Sequence, residues 1–439
     1  MNSKRQYVHW FRNSAQYINA HRGETFVIQF GGEAVSDTTF PNLVHDLALL
    51  DSLGVKLVIV HGARPQIEAG LKTEELTFQY QDGLRITDQP AMEVVKRAAG
   101  HVRFEIEALL SMGLANSPMA GARIRTTSGN FVAARPMGIR NGIDFLHTGE
   151  VRRVDATSIN QHLALGEIII ISPIGFSPTG EMFNLAAEDV ATAIAIELKA
   201  SKLLLLVESD GLTRTGDSVI RELTLDAAKR HLAEQRENQE EESYRHLFNA
   251  IHACRNGVRR TQIIDRRIDG GLISELFTRD GIGTMISADL YDTTRGATID
   301  DVGGILELIA PLEEDGTLVR RSREKLETEI ERFLVMERDG TVIGCAALYP
   351  LNDLGDMELA CVAIHHEYRN AGRGDRLMQM AERQARSEGA GRLFVLTTRT
   401  THWFMESGFE IDSVNNLPAN RKALYNYQRG SKVLVKSLS

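Results

Sequence analysis

The strongest constraint on the fold is a repeated alternation, between residues 24 and 290, of short apolar runs with longer amphipathic stretches. Runs this short and this apolar predict strands buried on both faces, and the amphipathic stretches, such as 42–53 and 188–198, predict helices. Strands that alternate with helices form a mostly parallel sheet covered on both sides, so we expect an α/β domain here. The predicted strands lie at 25–30, 56–61, 167–172 and 202–208.

A different pattern begins near Thr293, where a short strand leads into a helix that starts near Asp300 or Asp301. Further along, two strands meet at Asp339-Gly340, a turn signal typical of a hairpin. This order predicts a second domain of α+β type. Its other predicted elements are helices at 326–333 and 375–388, the latter ended by Gly389, hairpin strands at 333–338 and 342–349, and strands at 357–364 and 392–398.

We therefore expect two domains, at 1–288 and 295–439, joined by a linker at 289–294. The net charge of −9 gives the chain no electrostatic reason to bind nucleic acid or an anionic membrane. Three cysteines without a CxxC pair argue against a disulfide framework and against a zinc site. Neither a secretory signal nor an apolar run of about 18 residues is present. These features predict a metal-free cytoplasmic protein.

The segment Arg369-Asn370-Ala371-Gly372-Arg373-Gly374 lies between a predicted strand and a predicted helix. Glycine lets the backbone approach a ligand closely, and the free N–H groups at the start of a helix bind anions such as a diphosphate. Arg369 and Arg373 would add positive charge. A strand–helix turn that needs glycine only for its geometry is the alternative interpretation.

The order of elements around this loop, with Trp403-Phe404 and Gly408-Phe409 downstream, resembles the GNAT acetyltransferase superfamily. That resemblance implies that residues 369–374 hold the diphosphate of acetyl-CoA. Four segments, at 318–327, 358–365, 393–409 and 424–434, together resemble the bacterial N-acetylglutamate synthase family. The closer resemblance implies an acyltransferase that moves the acetyl group of acetyl-CoA to the α-amine of L-glutamate, the first step of arginine biosynthesis.

The same resemblance implies contacts for both substrates. The pantetheine arm would pair with the backbone of Cys361, Val362 and Ile364. The two carboxylates of glutamate need cations, and arginine binds a carboxylate through two parallel hydrogen bonds. The implied glutamate pocket consists of Arg321, Thr397, Arg421 and Arg429.

Glu358 is the candidate general base for direct attack by the amine. We expect it to share one face of its strand with Ala360, Val362 and Ile364, since side chains alternate. A carboxylate on an otherwise apolar strand would be partly desolvated, which suits proton abstraction; a simple surface salt bridge is the alternative. The general acid stays open. Many GNAT members have a tyrosine where Phe404 stands here, so Tyr427, Tyr425 or water would have to replace it.

The N-terminal region, over roughly 10–287, resembles the amino-acid kinase family and acetylglutamate kinase in particular. Active kinases carry a lysine where Gln29 stands, and glycines where Ala63 and Arg64 stand. The lysine stabilises the phosphoryl group during transfer. The resemblance therefore implies an amino-acid-kinase-like α/β sandwich that has lost phosphoryl transfer.

Two further segments resemble the arginine-binding elements of arginine-sensitive acetylglutamate kinases. They imply an L-arginine site that gives feedback inhibition, and a homo-oligomer, by resemblance a hexamer, in which the N-terminal helix links dimers. Packing of the oligomer alone is the alternative role of these segments. The implied arginine-site residues are Tyr17, Glu275, Gly281 and Gly283.

Two other functions stay open at this point. One is a bifunctional acetylglutamate synthase and kinase, against which Gln29 and Ala63-Arg64 count. The other is an arginine-sensing binding protein with an inactive acetyltransferase domain, against which Glu358 and the intact glycine loop count.

Overall fold

The protein divides into two compact units, residues 1–289 and 290–439. Among the described residues, no helix is long and apolar enough to cross a membrane. The computed structural model describes residues 2–113, 117–209, 212, 219–234, 242–278, 281–287, 292–338, 340–352, 355–369 and 372–438.

The N-terminal unit is built on the predicted sheet, and all four strands predicted from the apolar runs are confirmed to within one residue at their ends. Its strands are β1 (Thr25–Phe30), β2 (Lys56–His61), β3 (Tyr80–Gln81), β4 (Leu84–Arg85), β5 (Arg125–Thr127), β6 (Val132–Pro136), β7 (Ile139–Arg140), β8 (Ile143–Asp144), β9 (Gly149–Val154), β10 (Glu167–Ile171), β11 (Ile174–Phe176), β12 (Met182–Asn184), β13 (Lys202–Val207), β14 (Glu222–Thr224), β15 (Arg260–Asp265) and β16 (Thr284–Ser287).

In the main sheet the described strands follow the order β14-β16-β15-β13-β1-β2-β10-β5, and all neighbours are parallel except β15 and β16. A smaller sheet has the order β12-β11-β6-β9. Side chains alternate between two cores: Leu203 and Leu205 belong to one cluster of buried residues, and Leu204 and Leu206 to the other. Both faces are therefore covered, as the continuous apolar runs predict.

Helices cover both faces of this sheet. The predicted helices at 42–53 and 188–198 correspond to the fourth and eighth of them. The helices are α1 (Asn2–Asn13), α2 (Ala15–His21), α3 (Gly32–Ser36), α4 (Phe40–Ser52), α5 (Arg64–Thr73), α6 (Gln89–Leu110), α7 (Ala156–Ala164), α8 (Ala187–Glu197), α9 (Leu225–Glu234), α10 (Glu242–Arg255) and α11 (Gly271–Phe277).

The C-terminal unit is a mixed sheet with helices on both faces, which is the predicted α+β type. The predicted hairpin is confirmed. The predicted helix at 326–333 is wrong at its end, because Phe333 already belongs to a strand. The elements are β17 (Thr293–Gly296), α12 (Val302–Glu314), α13 (Arg323–Glu329), β18 (Phe333–Arg338), β19 (Thr341–Pro350), β20 (Asp356–Ile364), α14 (Arg373–Ser387), β21 (Arg392–Thr397), α15 (Thr401–Glu406), β22 (Glu410–Asp412), α16 (Ala419–Ala423) and β23 (Lys432–Ser437), with 3-10 turns at Ile299–Asp301, Ile330–Arg332, His366–Tyr368 and Val414–Asn416.

The described strands of this sheet follow the order β17-β18-β19-β20-β21-β23-β22. Strand β20 carries a bulge: Ala360 lies opposite Ala347 and Ala363 opposite Cys345, so two residues of β20 face one of β19. Cys361, in the bulge, has a φ of +52°, in the left-handed region that non-glycine residues rarely adopt. A bulge of this kind places every following side chain on the face opposite to the one that strict alternation along the strand would give it.

Asp301 links β17 to the start of α12. Its Oδ1 and Oδ2 accept from the Arg295 guanidinium at 2.9 and 2.7 Å, and Oδ2 also accepts from the Thr298 N–H at 2.7 Å. Chiefly through Arg295, these bonds lower the pKa of the Asp301 carboxyl from 3.8 to about 2. A carboxyl with a lowered pKa stabilises the fold fully above its unfolded pKa, and this contribution is lost as the pH falls toward 2.

Replacing Asp301 with Asn should therefore lower the free energy of unfolding of this unit by about 2 kcal/mol at pH 7. The difference from the parent should shrink as the pH is lowered from about 4 to about 2. Urea unfolding followed by Trp403 fluorescence, with Trp10 replaced by Phe in both proteins, measures it. A difference that is the same at pH 7 and pH 2 would show that the stabilisation is not ionic.

Candidate active site

The predicted diphosphate-binding segment at 369–374, called the glycine loop below, leads into helix α14. Gly372 precedes the helix with a φ of +67°, which glycine adopts without steric cost. The N–H groups in the first turn of a helix have no acceptor within the helix, so they are available to an anion. Arg369 is exposed, and its Nε donates to the backbone oxygen of Ile364 at 3.3 Å. Two of the predicted loop residues, Asn370 and Ala371, lie outside the described residues.

The side chain of Arg373 does not have the predicted role. It is buried, and its Nε donates to Asp292 Oδ2 at 2.6 Å, so only its backbone remains for an anion at the loop. Gly374 serves close packing: a Cβ added there would lie 3.0 Å from Cζ2 of Trp403. The helix start is thus fixed from within the unit by both residues.

Strands β20 and β21 separate at the level of Glu358. In the described part of the sheet they pair from Asp356–Arg392 to Glu358–Phe394, whereas β21 continues against β23 as far as Thr397. Beyond Glu358, β20 has no strand partner on this side among the described residues. Cys361, Val362 and Ile364 lie on this stretch of β20. Their pairing with the pantetheine arm, which would add an extended chain beside the strand, stays a prediction.

Glu358 does not share a face of β20 with two of the residues that strict alternation predicts, Val362 and Ile364. Met357 and Leu359 belong to the core cluster under α14, but Cys361 and Ala363 belong to the cluster under α12. The expectation that Glu358 shares a face with Val362 and Ile364 was therefore wrong, because the bulge at Cys361 inverts the alternation.

Glu358 is 8 % exposed and forms a two-point ion pair with Arg421. Arg421 Nε and Nη2 donate to Oε2 and Oε1 of Glu358 at 2.5 and 3.0 Å. Arg421 is on α16, 63 residues further along the chain. The predicted base and one predicted carboxylate-binding arginine thus meet at the point where the strands separate. A bidentate pair of this kind fixes the orientation of the carboxylate.

Tyr349 is a site residue that the sequence analysis missed. It lies directly across from Glu358 on β19, and its hydroxyl donates to Glu329 Oε2 at 2.7 Å. Burial and this hydrogen bond raise the pKa of Tyr349 to about 12, so the phenol stays neutral. Arg321 is half-buried, and the nearby Cys361 and Tyr349 raise its pKa against the opposing effect of burial. The only sequence signal for Tyr349 was its place on the strand paired with that of Glu358.

Of the other predicted pocket residues, Arg429 contacts the chain segment that follows α12, and Thr397 lies at the end of β21. Arg429 donates to the backbone oxygen of Thr317, four residues before Arg321. Thr397 ends β21, where its Oγ1 accepts from the Thr400 N–H at 3.1 Å.

The predicted general acids are less favourably placed than the predicted base. Tyr427 is 73 % exposed, and the hydroxyl of Tyr425 donates to the backbone oxygen of Ser431 at 2.6 Å. Phe404, at the position where many GNAT members have tyrosine, is buried in the core under α14. Tyr427 as the general acid stays a prediction.

In the N-terminal unit, Gln29 is buried on β1, and its Oε1 has no hydrogen-bond partner within the described part of the chain. The next loop packs closely against the first, since a Cβ on Gly32 would lie 2.9 Å from Cα of Ala63. Arg64 begins α5, where its Nε donates to Glu68 at 3.2 Å. A neutral amide and two residues with side chains thus stand where phosphoryl transfer would require a cation and glycines.

The predicted arginine-site residues lie on or beside two contacting helices. Tyr17 is on α2 and packs against the core, and Glu275 is on α11; His21 Nε2 of α2 lies 2.9 Å from the Leu276 oxygen of α11. Glu275 Oε2 accepts from the N–H groups of Ile282 and Gly283 at 2.6 and 2.8 Å. The family resemblance implies that Glu275 faces a cationic group of the arginine ligand, and here its carboxylate holds the backbone around Gly281 and Gly283.

The glycines of this loop have no room for a side chain. A Cβ on Gly281 would lie 2.4 Å from Glu275 Oε2, and a Cβ on Gly283 would lie 2.4 Å from the Ile263 oxygen. Glycine at both positions is what lets the loop close over Glu275.

Comparison with known proteins assigns a family to each unit. Residues 24–265 match the amino acid kinase family, and residues 304–409 match the acetyltransferase (GNAT) family. Amino-acid acetyltransferases of Ectopseudomonas mendocina and Azotobacter vinelandii are each 54% identical to this chain, over 98% and 99% of it and 99% and 100% of their own lengths.

Solved structures give the same result. An N-acetylglutamate synthase from Neisseria gonorrhoeae, complexed with coenzyme A and L-arginine, is 35% identical with a TM-score of 0.86, covering 98% of this chain and 99% of that one. The same synthase complexed with coenzyme A and N-acetyl-glutamate is 36% identical with a TM-score of 0.63, covering 99% of both chains.

Proposed function

The chain belongs to the amino-acid acetyltransferase family, and on that premise we propose that it transfers the acetyl group of acetyl-CoA to the α-amine of L-glutamate. The products are N-acetyl-L-glutamate and coenzyme A, which makes the reaction the first step of arginine biosynthesis. The observation that carries the proposal is the meeting of Glu358 and Arg421 at the slot where β20 and β21 separate.

Acetyl-CoA binds in two places. Its diphosphate takes the N–H groups at 372–374, where the left-handed Gly372 opens the backbone to an anion. Its pantetheine arm lies along β20 and forms strand-like hydrogen bonds with Cys361, Val362 and Ile364. The thioester then lies near the bulge, beside Glu358. Binding along a preformed strand edge fixes the acetyl carbon in position for attack.

Glutamate brings two carboxylates into a pocket whose arginines already have partners. We propose that one carboxylate takes Arg421 from Glu358, since an arginine that pairs with an internal carboxylate can equally pair with a ligand's. Arg321, Thr397 and Arg429 complete the pocket. Displacement leaves Glu358 without its guanidinium and beside the substrate ammonium group. An acidic substrate would thus free the base that acts on its own amine.

The chemical step is direct transfer. Glu358 takes a proton from the substrate ammonium group, and the neutral amine attacks the thioester carbonyl carbon. The nitrogen of the tetrahedral intermediate loses its second proton to solvent, the carbon–sulfur bond breaks, and the electron pair leaves with the coenzyme sulfur. Tyr427 is the proposed donor of the proton that the thiolate takes up. The neutral phenol of Tyr349 donates to Glu329 and lies beside Arg321, so it serves positioning.

We propose further that L-arginine binds the N-terminal unit, at Tyr17, Glu275, Gly281 and Gly283, and inhibits the enzyme. The support is the contact between α2 and α11 together with the buried carboxylate of Glu275. A homo-oligomer is also proposed, a hexamer by resemblance, since α1 exposes Tyr7, Trp10 and Phe11. The three buried free cysteines support a cytoplasmic location.

Two substitutions separate the base from the carboxylate-binding arginine. Replacing Glu358 with Gln keeps the size and removes the proton acceptor, so turnover should fall roughly a hundredfold or more while the KM for acetyl-CoA changes little. Replacing Arg421 with Gln should raise the KM for glutamate about tenfold or more. Initial rates of thiol release measure both effects.

Controls in the same unit show whether these effects are specific. Glu327→Gln on α13 removes an exposed carboxylate paired with Arg323, and Lys422→Gln removes a cation next to Arg421. Neither should change turnover or KM. Full activity of Glu358→Gln would exclude Glu358 as the base. An unchanged glutamate KM in Arg421→Gln would exclude the proposal that a substrate carboxylate displaces Glu358 from Arg421.

Glu275→Gln tests the proposed regulation. The glutamine side chain can still accept hydrogen bonds from the backbone N–H groups, but it has no charge that would attract a guanidinium. Half-inhibition should therefore need roughly ten times more L-arginine. The uninhibited kcat and KM should not change. Thiol-release rates over an arginine series, with calorimetry of arginine binding, provide the measurement. Equal inhibition of parent and variant would exclude Glu275 as a ligand, and an uninhibited parent would contradict the regulatory proposal itself.

A further inference from the structure

A buried carboxylate, that of Asp292, contacts several arginines next to the glycine loop. Asp292 is 4 % exposed. Its Oδ2 accepts from Arg373 Nε at 2.6 Å and lies 3.5 Å from Arg376 Nη1. Its backbone oxygen accepts from Arg376 Nη2 at 2.7 Å, and its Oδ1 lies 3.6 Å from Arg338 Nη1. Three guanidinium groups therefore share one acidic side chain.

Two of these arginines belong to the first turn of α14. Arg373 also donates through Nη1 to the backbone oxygen of Tyr368 at 3.3 Å. Tyr368 is the residue before the glycine loop and Arg373 lies near its end, so this one guanidinium joins both ends of the loop. The Tyr368 ring packs against Arg338 and Arg373, with ring-to-guanidinium distances of 5.6 and 5.5 Å.

Asp292 lies close to the boundary between the two units. The boundary falls at 289/290, and Asp292 is the first described residue after it. Thr293 directly after it begins β17, which pairs with β18 as far as Thr293–Glu337. Asp292 thus directly precedes a strand whose pairing with β18 does not involve the loop. Such an anchor can fix the loop backbone without touching a ligand.

We propose that Asp292 is a positioning residue for the coenzyme. Through Arg373 and Arg376 it fixes the first turn of α14, directly after Gly372, in the conformation in which the N–H groups of that turn converge on the diphosphate. The inference rests on the proposed function. It assigns Arg373 to the support of the loop, and it makes coenzyme affinity depend on a residue just past the unit boundary.

The test compares two acetyl donors. Acetyl-CoA carries the diphosphate, and S-acetylpantetheine has the same thioester arm without it. With Asp292→Asn, kcat/KM for acetyl-CoA should fall about tenfold or more, mainly through KM, because the diphosphate loses its ordered amides. With S-acetylpantetheine the same variant should stay within about twofold of the parent. The KM for glutamate should not change.

Asp301→Asn is the matched control, since it removes another buried, arginine-paired carboxylate of the same unit. It should lose stability and keep the acetyl-CoA KM of the parent. Should Asp292→Asn fail to fold, Arg373→Lys, which keeps the charge and loses the two-atom reach to Asp292 and Tyr368, is expected to show the same donor dependence.

The outcomes separate cleanly. Loss with acetyl-CoA alone supports the positioning role. Equal loss with both donors, an unchanged acetyl-CoA KM in the Asp292 variant, or the same KM change in Asp301→Asn would overturn it. A parent protein that acetylates no glutamate with either donor would instead contradict the proposed function.

Discussion

The bulge at Cys361 is the constraint on which the C-terminal unit depends. It inserts one residue into β20, so that Cys361 turns toward α12 although Met357 and Leu359 face α14. Just before it, β20 and β21 stop pairing, so the following residues of β20 have no strand partner on that side within the described part of the chain. Unpaired backbone groups inside a fold are costly. A ligand with an amide-bearing chain would be a suitable partner for them, as proposed for the pantetheine arm, and Glu358 lies at the point where that chain would end.

The two-point ion pair between Glu358 and Arg421 sets the chemistry of the site before any substrate binds. Glu358 is only 8 % exposed, and a buried carboxylate without a partner is costly. Arg421 is that partner, yet it also occupies both oxygens that a base would use. A dicarboxylate substrate would resolve the conflict, because it would offer Arg421 a second partner. Substrate selection and base activation would then be one event.

Much of the fold could be read from the sequence. Continuous apolar runs identified β1, β2, β10 and β13, and glycines before an amphipathic stretch identified the start of α14. The bulge could not be found, because nothing in the sequence marks Cys361 for a positive φ. The pairing of Arg373 with Asp292 joins residues 81 apart. A charge pattern gives no sign of such a contact, so the loop arginine was assigned to the ligand.

The central claim is that coenzyme A binds along the open edge of β20 and at the first turn of α14. Hydrogen–deuterium exchange of the intact protein, with and without coenzyme A, tests it most directly, because backbone amides that bind the ligand exchange more slowly. The account predicts protection at 361–364 and 372–376. Coenzyme binding with unchanged exchange in both segments, or with protection confined to the N-terminal unit, would contradict it.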